Sequence, residues 1–206
     1  MNSLNDLFLL APHQSTLAHL IHTGAQQHGK AVWHKRTFAR VNYAIADAFS
    51  NDIAAFLILA GCRPGHYFYM LHPQTYEQSI ALFGAIKAGM VLIEPPVADF
   101  DPDQLLNAYT PHPVTFQHNR FRIGNAATSF KKALSLGAGT LFFIPHIYKD
   151  ADAVLRFSLN GRGTVKQEVL QNQEAVELIR CPDSKGRLTP AMRLINRWCA
   201  GEVGFG

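Results

Sequence analysis

The sequence predicts an α/β fold, a mostly parallel sheet flanked by helices. Two short apolar runs of strand length, Tyr67–Leu71 and Met90–Glu94, bracket a segment with helical periodicity that ends at Gly89. Strand, helix and strand with short joints make a parallel crossover unit. Hydrophobic residues make up 48% and charged residues 17%, enough apolar surface for a real core. Neither an internal repeat nor a low-complexity tract interrupts the pattern.

In chain order, Thr16 is placed to cap a short helix with Leu17, Leu20, Ile21 and Gly24 on one face. A longer helix is expected from about Phe38 to Ala60. Its apolar positions Val41, Ile45, Ala48, Phe49, Ile53, Phe56 and Leu57 recur at three and four, and Gly61 stops it. "RPGH" turns the chain into the first strand. The crossover helix runs from about Thr75 to Ala88, with Tyr76, Ile80, Phe83 and Ile86 inward. Pro95 and Pro96 end the second strand, since neither can donate to a ladder.

Asp101 followed by Pro102 opens a short helix to about Tyr109. "PVTFQ" (113–117) reads as a strand and Thr128–Leu136 as a helix closed by Gly137. "GTLFFIPHI" (139–147) and "AVLRFS" (153–158) read as strands. A helix is expected from about Val165 to Ile179, and a last one from Thr189 and Pro190 with Leu194, Ile195 and Trp198 on one face. The tail "GEVGFG" is expected to fray. Residues 1–180 form the main unit and 181–206 a C-terminal helical appendage.

Charge and cysteine usage narrow the function classes. The formal net charge is +4, with no run of five or six like charges and no basic stripe before the last quarter, which argues against nucleic acid. Cys62, Cys181 and Cys199 lie far apart with no CxxC, as in reduced thiols. The N-terminus has no basic n-region, and the apolar run near "IAAFLILAG" is far short of a membrane span. A cytoplasmic protein is expected. Ten histidines are present, and His19 and His22 share a helical face, but no acid or Cys partner stands at metal spacing. No metal is expected. Ser158 lacks the G-x-S-x-G context of a hydrolase nucleophile.

The stretch "FSLNGRGTVKQEVLQ", Phe157–Gln171, carries the chemistry. A strand that runs into a glycine loop and a helix is a general phosphate cradle. Gly161 and Gly163 supply freedom, Thr164 a hydroxyl and Lys166 a charge. The GxxxxGK[ST] spacing is absent, so this is not a Walker A loop, and Gly-x-Gly alone is also a plain turn signal.

Three ordered segments resemble the N-terminal part of the adenylate-forming superfamily. These are the acyl-CoA synthetases, nonribosomal-peptide adenylation domains and luciferase. "RTFARV" (36–41) resembles the segment that starts the family's first long helix. "AAFLILAGCRPGHYFYMLHPQTYEQSIALFGAIKAGMVLIEPP" resembles the next, with "KAG" at Lys87–Gly89 and the paired prolines matching closely. There His66 replaces an acid and His72-Pro73 a Leu-Pro pair. "DADAVLRFSLNGRGTVKQEVLQNQEAV" aligns without gaps to the family's Thr-Ser-Gly-Thr-Thr-Gly-x-Pro-Lys-Gly loop.

In that alignment Ser158 takes the first hydroxyl position, and Leu159 and Asn160 stand where Ser and Gly belong. Gly161 and Arg162 replace two threonines, and Gly163 and Lys166 are retained. Val165 replaces Pro and Gln167 replaces Gly. The resemblance implies a phosphate loop made of Ser158, Asn160, Gly161, Arg162, Gly163, Thr164 and Lys166. Leu159 brings no donor, and Asn160 hinders close backbone approach. Losing two or three charge-assisted contacts at about 1.5–3 kcal/mol each implies ATP or AMP binding that is weak or lost, with no cofactor required. Arg162 could pair with Glu168 or point into water.

The chain stops about 40 residues after the loop, and nothing there matches the family's adenine-binding, Mg-binding or ribose-binding segments. The resemblance thus implies a truncated, non-catalytic relative serving as a binding or scaffold module in fatty-acid, polyketide or nonribosomal-peptide metabolism. One half of a split ligase completed by another chain, or a nucleotide or acyl-adenylate sensor, are the alternatives. The basic residues Arg187, Arg193 and Arg197 beside Trp198 read either as a solvated face or as a docking surface. The partner there would be an acyl carrier protein or a biosynthetic enzyme. A sheet face left bare by truncation would be covered by Ala191–Trp198, by a partner or by a second copy.

Overall fold

The computed structural model describes residues 15–36, 39–70, 73–94, 114–140, 145–159, 165–181 and 187–202. Its first helix, α1 (Leu17–His28), starts where Thr16 accepts the His19 N–H at 3.2 Å, and it buries Leu17, Leu20, Ile21 and Gly24 as expected. Next comes a hairpin in place of the expected helix start. Strand β1 (Val32–Arg36) pairs antiparallel with β2 (Ala39–Asn42), Arg36 facing Ala39. Helix α2 (Tyr43–Leu59) begins only after Asn42, whose Oδ1 accepts the Ile45 N–H at 2.8 Å. That cap fixes the boundary. Val41 stands four residues before Ile45 and so mimics a helical period from inside a strand.

The crossover unit follows the sequence closely. β3 (Tyr67–Tyr69), α3 (Tyr76–Lys87) and β4 (Val91–Glu94) are in order, with β3 and β4 parallel. Thr75 and Gln78 form a reciprocal capping box at the start of α3. Gly89, at φ +77, ends it.

An antiparallel meander follows: β5 (Val114–Gln117), β6 (Arg120–Ile123) and β7 (Ala126–Ser129). His118 and Asn119 both take positive φ in the two-residue turn between β5 and β6, the geometry such hairpins favour. Helix α4 (Phe130–Gly137) is capped by Ser129, so the expected start at Thr128 falls inside β7. Gly137 lets α4 approach α2, because a Cβ there would sit 1.8 Å from the Asp52 carbonyl oxygen.

The strand expected over 139–147 is not formed at its described ends: 139–140 is turn and bend, and 145–147 has no regular structure. β8 (Asp152–Leu159) then pairs antiparallel with β9 (Val165–Gln171). The helix expected from Val165 is thereby corrected. The chain continues as a strand for seven residues, and α5 (Asn172–Arg180) starts only after Gln171, whose N–H is capped by Glu174 Oε2 at 2.9 Å. α6 (Pro190–Cys199) closes the chain, capped by Thr189 with Pro190 in its first turn. The helix expected over 101–109, the paired prolines 95–96 and residues 203–206 of the tail lie outside the described residues.

The sheet has seven strands in the order β7-β6-β5-β3-β4-β8-β9. Its four central strands are parallel and both margins are antiparallel. One face packs the main core, where Phe68, Leu92, Phe116, Phe121 and Val154 meet buried residues of all six described helices. The other face carries a smaller buried cluster of Tyr69, Val91, Ile93, Leu155 and Phe157.

The segment 181–206, expected as an appendage, contributes α6 to the main core. Trp198 is fully buried, donates its indole N–H to the Ile21 carbonyl at 2.8 Å and packs tilted against Tyr43 and edge-on to Phe83. Gly24 makes room for that ring, since a Cβ would lie 2.5 Å from it. A second buried group ties the helices together. Lys87, with no exposure, bonds Asp47 Oδ1 at 2.5 Å and Asn51 Oδ1 at 2.7 Å on α2.

Candidate functional site

The parallel strands β4 and β8 end side by side, with Glu94 and Arg156 as register partners. In open α/β sheets, ligands bind outside these carboxyl ends. The hairpin that continues from β8 brings in the sequence-predicted residues. Ser158 pairs with Lys166 and Arg156 with Glu168 across the two strands. These four alternate with Phe157, which is buried in the smaller cluster, so they share the face turned toward the helices.

Ser158 and Lys166 are both exposed. Asn160, Gly161, Arg162, Gly163 and Thr164 lie outside the described residues. The cradle differs from the expected one in a way that matters electrostatically. The loop is followed by a strand, so no helix N-terminus lies directly behind it. The positive potential assigned to that position is absent from the described geometry.

Arg156 and Glu168 form the strongest polar contact of the hairpin. The guanidinium donates to Glu168 Oε2 from Nε at 3.1 Å and from Nη2, and its Nη1 donates to the Arg187 carbonyl at 3.0 Å. Glu168 is therefore engaged by Arg156, a partner not anticipated from the sequence.

Glu94 does a parallel job at the next strand. Its Oε1 accepts the Ala191 N–H at 3.3 Å, in the first turn of α6, and Thr189 and the Arg156 and Arg193 guanidiniums also stabilise its charge. Burial outweighs these and pushes the carboxyl up to about 7. The helix N-terminus nearest the strand ends is thus already served by an internal carboxylate. Beside it lies a cavity of about 30 Å³ walled by Phe68, Met70, Leu82, Leu92 and Ala191. That is room for one or two water molecules, far below a nucleobase.

The predicted partner-binding residues are also accounted for. Arg187 and Arg193 are exposed, and Arg193 Nη1 donates to the Leu188 carbonyl at 2.7 Å. Arg197 pairs with Glu202 at 3.3 Å. Trp198 is buried in the core and presents nothing to a partner. On α1, His19 bonds Thr23, and His22 bonds Gln26 and faces Asp47 at 3.9 Å.

Glu94 and Arg156 escaped the sequence reading, which named Glu168 as a partner for Arg162. The signal was a charged residue inside or at the end of an apolar run, "MVLIE" and "AVLRFS". Among the described residues no helix is long and apolar enough to cross a membrane.

No family model matches the sequence, and no curated protein matches it. Solved structures do. The N-terminal subdomain of Klebsiella oxytoca NpsA, in complex with 3-hydroxyanthranilyl-AMSN, superimposes with a TM-score of 0.70 at 13% identity, over 91% of this chain and 52% of that one. The nonribosomal peptide synthetase FmoA3 in its AMPPNP-bound form gives 0.70 at 16%, over 92% of this chain and 22% of that one. An artificial NpsA–ThdA fusion, an adenylation–PCP di-domain from Klebsiella oxytoca, gives 0.70 at 13%, over 91% and 42%. The chain spans about half of the NpsA subdomain chain and less than a quarter of FmoA3. At these identities the likeness establishes the fold: this chain is folded like the N-terminal subdomain of nonribosomal-peptide adenylation domains.

Proposed function

We propose that the chain is a non-catalytic, adenylation-like binding module, working in fatty-acid, polyketide or nonribosomal-peptide metabolism without requiring a nucleotide. One observation carries this reading. The charged groups at the carboxyl ends of β4 and β8, where a ligand of this fold class would be met, are bonded to the chain itself. A triphosphate would have to compete with Glu168 for Arg156, at about 1.5–3 kcal/mol per charge-assisted bond broken. It would also approach the Glu94 carboxylate. Of the loop cations, Lys166 is exposed and adds a single point charge.

Calorimetry with ATP–Mg and with AMP tests the reading. No heat at millimolar ligand is expected. Saturable binding of either nucleotide would overturn it in favour of a sensor. Pyrophosphate exchange that appears when a candidate second chain is added would overturn it in favour of a split ligase.

A further inference from the structure

The positive charge of this protein is segregated in sequence. Between Asp103 and Asp150 no acidic residue occurs, while five Lys or Arg do; the remainder holds fifteen acidic against fourteen basic residues. The fold concentrates four of the five at one end of the sheet. Arg120 and Arg122 are exposed on β6 and alternate with the buried Phe121, so both project from the face opposite the main core. Two residues of strand set them roughly 7 Å apart.

Lys131 and Lys132 are exposed in the first turn of α4. The Phe130 N–H donates to the Asn119 carbonyl at 2.9 Å, which seats that turn against the β5–β6 hairpin tip beside Arg120. Cations in the first turn oppose the helix dipole and cost stability. No acid stands in that turn to offset them. Leu136, one turn beyond Lys132 on the same side of α4, is 49% exposed and adds an apolar contact.

Resting on the reading of the chain as a binding module, we infer that this end of the sheet, and not α6, is its docking surface for an acidic protein partner. Charge complementarity is the argument: a positive lobe built from a stretch of chain, 104–149, that holds no acidic residue steers and orients a negative surface. The alternative macromolecule, single-stranded nucleic acid, needs exposed aromatic rings on which bases stack. Among the described residues, the phenyl rings of this lobe, Phe116, Phe121 and Phe130, are buried. The arginines of α6 are spent differently, Arg193 on the Leu188 carbonyl and Arg197 on Glu202.

The test uses fluorescence anisotropy of labelled poly-L-glutamate on the full chain, with labelled oligouridylate of equal charge as the second probe. Poly-L-glutamate should bind, more weakly as salt rises. Its affinity should fall about tenfold or more in Arg120→Glu/Arg122→Glu and stay within about twofold in Arg193→Glu. Circular dichroism of the exposed-site variants confirms that they fold. Failure of the wild-type chain to bind poly-L-glutamate overturns the inference. So does an unchanged affinity in the double variant, an equal loss in Arg193→Glu, or tighter binding of oligouridylate. A calorimetric signal with ATP–Mg would overturn the non-nucleotide reading and leave this result standing, so the two failures are separable.

Discussion

Replacing Glu94 by glutamine should abolish a pH dependence that this one carboxyl imposes on the fold. Burial against the first turn of α6 raises its pKa from 4.5 to about 7, over the opposing pull of Thr189, the Ala191 N–H, Arg156 and Arg193. The folded protein thus holds the proton more tightly than the unfolded chain does. The resulting stabilisation is fully present below the unfolded value of 4.5 and is lost as pH rises through about 7. At about 1.36 kcal/mol per unit, that window amounts to about 3 kcal/mol. Urea unfolding of both proteins, below pH 4.5 and in steps to above pH 7, reads it directly. Glu94→Gln should match the wild type at the acid end and gain on it steadily, reaching about 3 kcal/mol at the alkaline end. Asp52 is also raised by burial, but it is common to both proteins and cancels in the difference. A gap between the two proteins that stays constant across the whole range would refute the account.

Two further substitutions test the core that carries the site. Trp198→Ala removes a fully buried ring and its bond to Ile21, and should cost about 3–5 kcal/mol in urea unfolding; a loss below about 1 kcal/mol would make α6 peripheral. Asp47→Ala leaves the Lys87 ammonium buried without its carboxylate and should cost about 3–5 kcal/mol. Adding Lys87→Met should recover much of that, and a double variant as unstable as the single one would show that the stranded charge is not the cause.

Much of the fold is legible in the sequence wherever a cap and an apolar period agree. The unit from Tyr67 to Glu94 has both: Thr75 opens its helix, Gly89 closes it, and the flanking strands are apolar on both faces. The meander over 114–129 is harder to read. β5 is legible as "PVTFQ", but β6 and β7 are four residues long and mostly exposed, and β6 buries a single aromatic, so neither periodicity nor composition marks them. Residues 165–171 failed for another reason. As an edge strand, β9 buries Leu170 and exposes Lys166, Gln167, Val169 and Gln171, so its pattern blends into that of the helix that follows. The chemistry of the site was half visible. The loop residues stand out by type, but the ion pair that engages Arg156 depends on strand register, which no local pattern encodes.

The charged groups at the carboxyl ends of β4 and β8 and the inferred docking surface lie along one edge of the sheet, since β5 runs parallel to β3, β4 and β8 and the hairpin that carries Arg120 follows its carboxyl end. At the carboxyl ends of β4 and β8, every polar contact described for Glu94 and Arg156 is made to the chain's own C-terminal segment or to β9. Those contacts tie the start of α6 to the end of β4, and Arg187 to β8. Above pH 7 the Glu94 carboxylate there would also repel an anion. The proposed reading therefore expects an anionic ligand to be opposed beside Glu94. The meander has the opposite balance, with Arg120 and Arg122 exposed and two lysines set against their own helix dipole. Within one sheet, Glu94 and Arg156 are bonded to the chain itself, while Arg120 and Arg122 are exposed toward the meander margin. A charged surface of that kind suits another protein's surface, which is how the proposed loss of nucleotide binding and the inferred docking face fit in one reading.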